Sequence, residues 1–343
     1  MFKFEEHSWP GEVRLAHGSG GQLTQNLIGQ LFAKAFANPA LSELTDAAVL
    51  ENPGGRLAFC TDSHAVNPLF FPGGDIGRLA VSGTVNDLAV MGARPAYLSA
   101  AFLLEEGLPL ATLARIVASM VETAAEAGVS IVTGDTKVLE RGRGHGVFIN
   151  TSGVGFVPGF TRLSATFVRP GDVLIVNGTL GDHGFAVLTA REGLADGLGL
   201  MSDVAPLNGL IACVLAAAPG VRFMRDLTRG GLAAVLNELV GGRTFGVRVF
   251  EAQLPISGAV EAAAQVLGID PLVAANEGKA LFVARPADAD AVLNALRAHP
   301  LGRRAAIVGD VIRQPAGQAV IETAYGSHRV LDMPREEQMP RIC

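Results

Sequence analysis

The sequence has 343 residues and a formal net charge of −6; 49% of its residues are hydrophobic and 17% are charged. This composition excludes an intrinsically disordered chain, and the absence of a lysine or arginine cluster argues against a nucleic-acid-binding protein. No segment approaches the roughly 18–20 apolar residues of a membrane span, and residues 1–6 lack the apolar region of a signal peptide, so we expect a cytoplasmic protein.

The first predicted element is a helix over residues 23–36, in which apolar residues recur at helical spacing. It follows a glycine-rich segment, His17-Gly18-Ser19-Gly20-Gly21. Backbone N–H groups of such a loop can bind an anion at the start of a helix. A mobile linker is the alternative, because the segment lacks the lysine of a Walker phosphate-binding loop.

Two short strands are predicted next, at residues 45–50 and 57–66, and we expect them to form a hairpin around Gly54-Gly55. Each strand carries an aspartate near one end, Asp46 and Asp62. A lone aspartate in such a position is usually a turn residue. Two aspartates on neighbouring strands could instead bind one divalent cation, because hard cations prefer carboxylate oxygens.

A polar pair, Asn86-Asp87, interrupts the apolar helix that Gly73-Gly74-Asp75 introduces. A carboxylate inside an apolar helix is costly unless it is hydrogen-bonded or bound to a metal ion, which makes Asp87 a candidate metal ligand. A helix cap or a solvent-facing position is the alternative. The helix is predicted to end at Gly92, and a strand is predicted at residues 96–104.

An amphipathic helix over residues 110–127 precedes a predicted strand at residues 129–132. This strand leads into a predicted loop that contains Gly134, Asp135 and Lys137. Ligands of α/β sheets bind at the carboxyl ends of strands, so Lys137 is a candidate phosphate contact. An ordinary loop lysine is the other interpretation.

The second half of the sequence again alternates strands with helices, after a connector at residues 158–172. This alternation predicts an α/β (or α+β) fold with two domains of similar size, at residues 1–157 and 158–332. Asp226 and Thr228 precede a predicted helix and are candidate helix caps. Strands are predicted at residues 173–176, 280–283, 305–309 and 319–322, and helices at residues 185–192, 233–239 and 288–298.

Three cysteines are widely separated and odd in number, so neither a disulfide framework nor a zinc site is expected. Cys60 and Cys213 lie in apolar runs and are predicted to be buried in the core. Cys343 ends a polar stretch over residues 333–343, in which two prolines disfavour regular structure. Such a flexible tail would let the thiol visit several sites; the alternative is a frayed chain end without a role.

Seven short motifs, most of them built from glycine and acidic residues, are distributed over the whole chain. They are His17-Gly18-Ser19-Gly20-Gly21, Thr45-Asp46-Ala47-Ala48-Val49, Thr61-Asp62-Ser63, residues 83–92, Gly134-Asp135-Thr136-Lys137, Asp226-Leu227-Thr228-Arg229-Gly230-Gly231 and Pro340-Arg341-Ile342-Cys343. Together they resemble the hydrogenase-maturation carbamoyl dehydratases, a family called HypE. That family shares an ATP-using superfamily with aminoimidazole ribonucleotide synthetase, selenophosphate synthetase and thiamine-monophosphate kinase. The terminal motif is specific to the dehydratases.

The resemblance implies a fold in which the N-terminal domain pairs with its twin in a homodimer and ATP binds in a cleft, with residues 17–21 as a loop over it. The magnesium ligands of the superfamily match Asp46, Asp87 and Asp226. The positions implied to contact or line the nucleotide are Gly18, Gly20, Asp62, Asn86, Gly134 and Asp135.

The resemblance also implies a reaction. In the family, the carbamoyltransferase HypF delivers a carbamoyl group to the terminal thiol, here Cys343, and ATP drives dehydration of the S-carboxamide to a thiocyanate. A HypC–HypD complex then accepts the cyanide as a ligand for hydrogenase iron. Glu277 and Lys137 match positions near the reacting end of the nucleotide and are candidates for proton removal, although Glu277 could equally be a salt-bridged structural residue.

Two other functions are considered. The first is a phosphotransferase of the same superfamily acting on a small molecule. Selenophosphate synthetases, however, carry their reactive cysteine or selenocysteine near the N-terminus, where this sequence has none, and a kinase would have no use for Cys343. The second is a thiol-bearing scaffold with a decayed nucleotide site, against which the retained aspartates argue.

Overall fold

The structure, a computed structural model, describes residues 5, 9–42, 47–159, 161–194 and 198–334. These residues form a mixed α/β fold with a four-stranded sheet in the first half of the chain and a seven-stranded sheet in the second. The strands are β1 (Arg56–His64), β2 (Phe70–Phe71), β3 (Gly74–Asp75), β4 (Arg94–Glu105), β5 (Ser130–Leu139), β6 (Val147–Val157), β7 (Val173–Val176), β8 (Val221–Asp226), β9 (Gly246–Phe250), β10 (Ala280–Ala284), β11 (Ala306–Ile312), β12 (Ala319–Glu322) and β13 (His328–Val330). The helices are α1 (Gln22–Leu27), α2 (Ala33–Ala35), α3 (Ile76–Val90), α4 (Leu110–Ala127), α5 (Asp182–Arg191), α6 (Asn208–Ala217), α7 (Gly231–Val240), α8 (Gly258–Leu267) and α9 (Ala289–Ala298).

The four-stranded sheet has the order β1-β6-β4-β5, in which β4 and β5 are parallel and the other pairs are antiparallel. Side chains alternate between two faces along β6, so that one face is buried against α3 and the other is open. Leu57 and Phe59 of β1 lie on the open face and are 59% and 67% exposed. The sheet therefore presents apolar side chains to solvent.

The seven-stranded sheet has the order β13-β12-β9-β11-β7-β10-β8 and is covered on both faces. All residues of β10 are buried, and neighbouring residues point to different apolar clusters. Leu281 and Val283 pack in the cluster that contains α7, whereas Phe282 and Ala284 pack in the one that contains α6 and α9.

α3 joins the two halves, because it contacts β1 and β6 of the first sheet and β8 and α6 of the second half. A further apolar cluster combines Leu79 and Ile149 of the first half with Phe185 and Val260 of the second. A cleft between the halves therefore runs along α3. In the described part of the chain, no helix combines the length and apolar character that a bilayer span requires.

Most predicted elements are confirmed. α4, β7 and β12 have the predicted bounds, and α3 follows Asp75, whose carboxylate accepts hydrogen bonds from the backbone N–H groups of Gly77 (2.7 Å) and Arg78 (3.0 Å). The helix predicted at residues 23–36 is α1 and α2, joined by a π-helical turn, Ile28–Phe32. β8, β9, β13, α6 and α8 were not predicted.

The predicted hairpin is wrong within the described residues. Residues 47–50 form no strand, and β1 pairs along its whole length with β6 instead. Gly54 and Gly55 do have positive φ angles, 86° and 90°. These glycines therefore form a turn, as predicted, although the hairpin around them does not form. The pairing is decided by β6, which supplies a hydrogen-bonding partner for every residue of β1. Asp46 lies outside the described residues.

Two predicted local structures near candidate ligands are also wrong. Residues 133–137 are not a loop but continue β5, because β4 extends beside them and offers a parallel partner as far as Glu105. Asp226 ends β8, and the residue that caps α7 is Gly230, so neither Asp226 nor Thr228 is a helix cap.

The predicted burial of two cysteines is wrong for Cys213, which is exposed on α6. That helix is apolar on all sides, and the opposite side, with Leu210 and Val214, is the buried one. Cys60 is half-buried on β1, where its Sγ lies 3.5 Å from the Thr84 carbonyl oxygen.

Candidate active site

An acidic cleft lies between the two sheets, where carboxylates from four separate elements meet. Asp62 comes from β1, Asp87 from α3, Asp226 from the end of β8, and Glu277 from the segment before β10. They line one cavity of about 170 Å³. The other residues that line it are Ser63, His64, Gly83, Arg225, Thr228 and Arg229.

Two glycines let α3 lie close to its neighbours and so position Asp87. A Cβ atom on Gly77 would stand 2.4 Å from the Ile116 carbonyl oxygen of α4, and one on Gly83 would stand 2.9 Å from Cε1 of His64 on β1. Both distances are shorter than van der Waals contact. A larger residue at Gly83 would therefore push α3 away from β1 and separate Asp87 from Asp62, whereas one at Gly77 would displace α3 from α4.

The carboxylates of the cleft perturb one another. Burial, together with the charges of Asp226 and Asp62, raises the pKa of Asp87 to about 7. Burial also raises the pKa of Asp226 to about 6 and, with the neighbouring carboxylates, raises that of Glu277 well above its usual value. Acidic groups at this spacing hold protons near neutral pH unless a cation balances them. The cleft therefore favours a bound cation.

A buried ion pair fixes the backbone on which Glu277 lies. The carboxylate of Asp203 accepts hydrogen bonds from the N–H groups of Glu277 and Gly278, both at 3.1 Å, and from Nζ of Lys279 at 2.9 Å. Burial acts to raise the pKa of Asp203, but Lys279 and the hydrogen bonds hold it below its usual value. Asp203 is therefore a charged anchor for this segment.

Asn86 ties α3 to the same segment. Its side-chain amide donates to the carbonyl oxygens of Ala205 (3.1 Å) and Glu277 (3.2 Å), and its oxygen accepts from the N–H of Leu207 (2.7 Å). The residue is 2% exposed. Asn86 thus joins the two halves of the chain behind the cleft; a contact with the nucleotide stays a prediction.

A second cluster of predicted site residues surrounds a larger cavity of about 520 Å³. The glycine-rich segment lies against β5, since a Cβ on Gly18 would stand 2.8 Å from the Val138 nitrogen. Gly134 lies equally close to β4, because its Cβ would stand 2.3 Å from the Ala100 carbonyl oxygen. The polar end of the cavity is lined by Gly18, Gly20, Gly134, Asp135 and Lys137, and the apolar end by Ile28, Phe32, Phe36, Leu41, Phe102 and Ile131.

The two clusters lie apart within one chain. β1 and β5 are the opposite edges of the four-stranded sheet, three strand spacings or about 14 Å from each other. Lys137 is on the open face of the sheet, paired with exposed Leu103, whereas Asp62 is on the face toward α3, paired with buried Thr151. The structure therefore brings Asp62, Asp87, Asp226 and Glu277 together but leaves Lys137 elsewhere.

Two predicted residues cannot be placed. Asp46 and Cys343 both lie outside the described residues. Within the residues that are described, no three histidine, cysteine, aspartate or glutamate side chains converge closely enough to hold a metal ion by themselves. The metal site stays a prediction that includes Asp46.

Comparison with known proteins identifies the domain family to which each half of the chain belongs. Residues 44–157 match the model of the N-terminal domain of AIR synthase related proteins, and residues 169–322 match that of the C-terminal domain. The carbamoyl dehydratase HypE of Azotobacter vinelandii is 51% identical over 333 residues, which cover 97% of this chain and 98% of that protein. The chain belongs to the HypE family.

Solved HypE structures have the same fold. A crystal structure of HypE in complex with ATP superposes with a TM-score of 0.92 at 46% identity and covers 96% of this chain and 99% of that one. HypE in a HypE–HypF complex superposes with a TM-score of 0.79 at 45% identity, covering 90% of this chain and 99% of the other. The predicted two-domain α/β fold is thereby confirmed.

Sequence reasoning assigned no role to two residues that line this HypE-family cleft, His64 and Arg229, or to Asp203, which anchors the segment that carries Glu277. His64 shares a face of β1 with Asp62, two residues earlier, and this spacing was a usable signal. Burial, helped by the charge of Arg229 and opposed by that of Asp62, lowers the pKa of His64 to about 4. Asp203 lies in a segment without periodicity, and nothing in the sequence marks it.

Proposed function

We propose that this chain is an ATP-dependent carbamoyl dehydratase that converts an S-carboxamide on Cys343 to a thiocyanate, for the cyanide ligands of nickel–iron hydrogenase. The observation that carries the proposal is the position of Pro334, nine residues before Cys343. Cγ of Pro334 lies 3.8 Å from where a Cβ of Gly230 would be, and Gly230 follows Arg229 of the acidic cleft. Residues 335–343 span at most about 30 Å when extended, so Cys343 can reach the cleft.

ATP is required because an amide oxygen is a poor leaving group until it carries a phosphoryl group. In the first step the carboxamide oxygen forms a bond to the γ-phosphorus, the bond from that phosphorus to the β,γ-bridging oxygen breaks, and one N–H proton is removed as ADP leaves. In the second step the carbon–oxygen bond breaks, phosphate departs, and loss of the second N–H proton leaves the C≡N bond. The carboxamide thereby loses one water for each ATP converted to ADP and phosphate.

The acidic cleft fits magnesium. Asp87 and Asp226 are hard oxygen donors, and their raised pKa values reflect negative charge that lacks a balancing cation. Mg²⁺ commonly takes only one or two carboxylates and fills its other positions with water and phosphate oxygens, which agrees with an incomplete set of protein ligands. When bound, the ion would stabilise the charge that develops on the transferred phosphoryl group. Asp46 is the third proposed ligand.

Glu277 is the proposed base. The residue lines the cleft, and its backbone is fixed by Asp203 and Asn86. Burial and the neighbouring carboxylates raise its pKa, which makes the carboxylate a stronger proton acceptor. Lys137, the other candidate, lies in the second cluster and would have to come from another copy of the chain.

A homodimer would account for the two separate clusters. The open face of the four-stranded sheet carries exposed Leu57 and Phe59, which a twin sheet would cover. One cluster of predicted site residues lies at the β1 edge of that sheet and the other at its β5 edge, so a twin that places its β5 beside β1 would complete the site with Gly134, Asp135 and Lys137. We therefore propose that the nucleotide is bound between the two copies.

The proposed partners follow from the same chemistry. The solved HypE–HypF complex supports HypF as the donor of the carbamoyl group. The HypC–HypD complex as acceptor of the cyanide, and a cytoplasmic location, stay predictions from the sequence.

Intact-protein mass spectrometry tests the proposal. The chain is incubated with HypF, carbamoyl phosphate and ATP, with and without Mg²⁺, beside a Cys343→Ala variant. We expect a gain of one carbamoyl group that becomes smaller by one water with Mg²⁺ and ATP, and no gain in the variant. If Cys343 stays unmodified while ATP is consumed on a small molecule, the chain is a phosphotransferase instead.

A further inference from the structure

Arg229 carries a positive charge in the acidic cleft that no acidic partner balances in the described part of the chain. Two arginines line the cleft. The guanidinium of Arg225 is paired with Glu238 at 3.2 Å and is half-exposed on β8. Arg229 makes no ion pair with any other described residue. Its guanidinium is therefore available to a ligand.

The backbone that carries Arg229 is held in a tight turn. Gly230 and Gly231 have positive φ angles of 74° and 56°, and the N–H of Gly231 donates to the Thr228 carbonyl oxygen at 2.9 Å. A Cβ on Gly231 would stand 2.5 Å from the Ala274 carbonyl oxygen, so the turn packs directly on the segment before Glu277. The position of Arg229 relative to Glu277 is thereby fixed by backbone contacts.

The surroundings of Arg229 combine two kinds of recognition in one cavity. Asp62, Asp87, Asp226 and Glu277 can balance a cation, whereas the guanidinium can balance an anion. Arg229 lines the same cavity as the buried His64 of β1, and its charge helps to lower the pKa of that imidazole. A ligand that carries an anion and a divalent cation together, as a metal-bound triphosphate does, matches this arrangement.

We propose that Arg229 is a catalytic residue that contacts the phosphoryl group during its transfer from ATP to the carboxamide oxygen. The inference rests on the proposed function and adds a residue to its first step. As the bond to the bridging oxygen breaks, negative charge spreads over the oxygens of the transferred group, and a planar guanidinium can donate two N–H groups to them. The same contact would stabilise the phosphate that leaves in the second step.

The tail offers a competing ligand for the same guanidinium. Pro334 lies beside Gly230, and two acidic residues, Glu336 and Glu337, follow it closely in the sequence. If Arg229 served only to pair with these carboxylates, it would anchor the tail and would not contact the phosphoryl group. The experiment must therefore separate the two roles.

Single-turnover measurements on the full, carbamoylated chain make that separation. The variants are Arg229→Gln and Arg229→Ala, with Arg303→Gln, an exposed arginine outside the cleft, as the control; thiocyanate formation is followed by intact mass and ADP by chromatography. We expect Arg229→Gln to slow the maximal rate by about 100-fold to 1,000-fold while the KM for ATP changes less than about fivefold. Arg303→Gln should slow it less than about threefold, because this side chain does not line the cleft.

Two further results distinguish a contact from a structural effect. Added guanidinium ion should restore part of the rate to Arg229→Ala, since it can occupy the vacated position, and should not accelerate Arg303→Gln. Thermal unfolding of both variants should match that of the unmodified chain, because both side chains are exposed.

The proposal is overturned if Arg229→Gln keeps the maximal rate or changes only the KM for ATP. It is also overturned if Glu336→Gln with Glu337→Gln causes the same loss and the combined variant loses no more, since Arg229 would then serve the tail. Failure of the unmodified chain to form thiocyanate would instead reject the proposed function, so the two failures are distinguishable.

Discussion

The two sheets of this chain differ in how their faces are covered. The seven-stranded sheet is covered on both faces, and its strand β10 is buried along its length. The four-stranded sheet is covered on one face only and leaves Leu57 and Phe59 exposed on the other. The seven-stranded sheet is complete within one chain, whereas the four-stranded sheet has an apolar surface that suits a partner. Stability and assembly should therefore depend on different halves of the molecule.

The largest effect is expected in the covered sheet. Phe282 on β10 is fully buried, and Phe282→Ala should lower the free energy of unfolding by about 3–5 kcal/mol, because it leaves a cavity in a sheet that has no solvent-facing side. Urea denaturation measures the change. Phe59→Ala on the open face is the control and should lower the free energy of unfolding of the dilute monomer by less than about 0.5 kcal/mol. A loss below about 1 kcal/mol for Phe282→Ala would contradict the two-sided burial.

A smaller effect is expected where the two halves meet. Asn86→Ala removes three hydrogen bonds behind the cleft and should lower the free energy of unfolding by about 2–3 kcal/mol, since the N–H of Leu207 and the carbonyl oxygen of Ala205 would lose their partner in a buried place.

Asn150 provides the matched control for this variant. Its amide also makes three hydrogen bonds, to Thr61, Asp62 and Ser63, but on the open sheet, where water can replace them. Asn150→Ala should therefore lower the free energy of unfolding by less than about 1 kcal/mol. Equal losses for the two asparagines, measured by urea denaturation, would argue against a special role for Asn86.

The pH dependence of stability should be visible in the cleft between the sheets. The pKa of Asp87 rises on folding from its ordinary 3.8 to about 7, so the folded chain holds this proton more tightly than the unfolded chain does. The stabilisation is complete below the unfolded pKa and is lost as the pH rises through the folded pKa. Without Mg²⁺ and ATP, the unmodified chain should therefore lose stability relative to Asp87→Asn between about pH 4 and about pH 7. A difference that does not vary with pH would contradict the raised pKa.

The smallest effect on folding should accompany a large effect on association. Phe59→Asp places a charge on the open face and should change the free energy of unfolding of the monomer by less than about 0.5 kcal/mol. If a twin sheet covers that face, sedimentation velocity should show a shift from dimer to monomer. Leu103→Asp, on β4 of the same face, should likewise shift the dimer to monomer. An unchanged dimer in both variants would show that the interface lies elsewhere.

The sequence predicts the elements whose signals are local. α4 has a clear amphipathic period and ends at Gly128, whose φ angle of 69° suits glycine, so its bounds could be predicted. The partner of β1 could not be, because the strand that hydrogen-bonds to it, β6, is distant in the chain. The extension of β5 through residues 133–137 was missed for the same reason, since β4 decides it.

The residues in and around the acidic cleft also differ in whether a local signal in the sequence predicts them. Asp62, Asp87, Asp226 and Glu277 could be grouped through motifs, and the structure brings them together. Asp203 could not be found, because it acts through contacts with backbone N–H groups that only the folded chain creates. The separation of Lys137 from these carboxylates depends on strand order, which no local pattern encodes.

The attachment of the chain end has a kinetic consequence. Leu331 is buried, its N–H donates to the Ala319 carbonyl oxygen at 2.9 Å, and its own carbonyl accepts from Asn237 at 2.9 Å. If Cys343 carries the carboxamide as proposed, its tether begins at this fixed point beside the cleft, and the thiol would have an effective concentration there on the order of millimolar, whatever the concentration of the protein. A carboxamide on this thiol would then be a substrate that dilution does not remove.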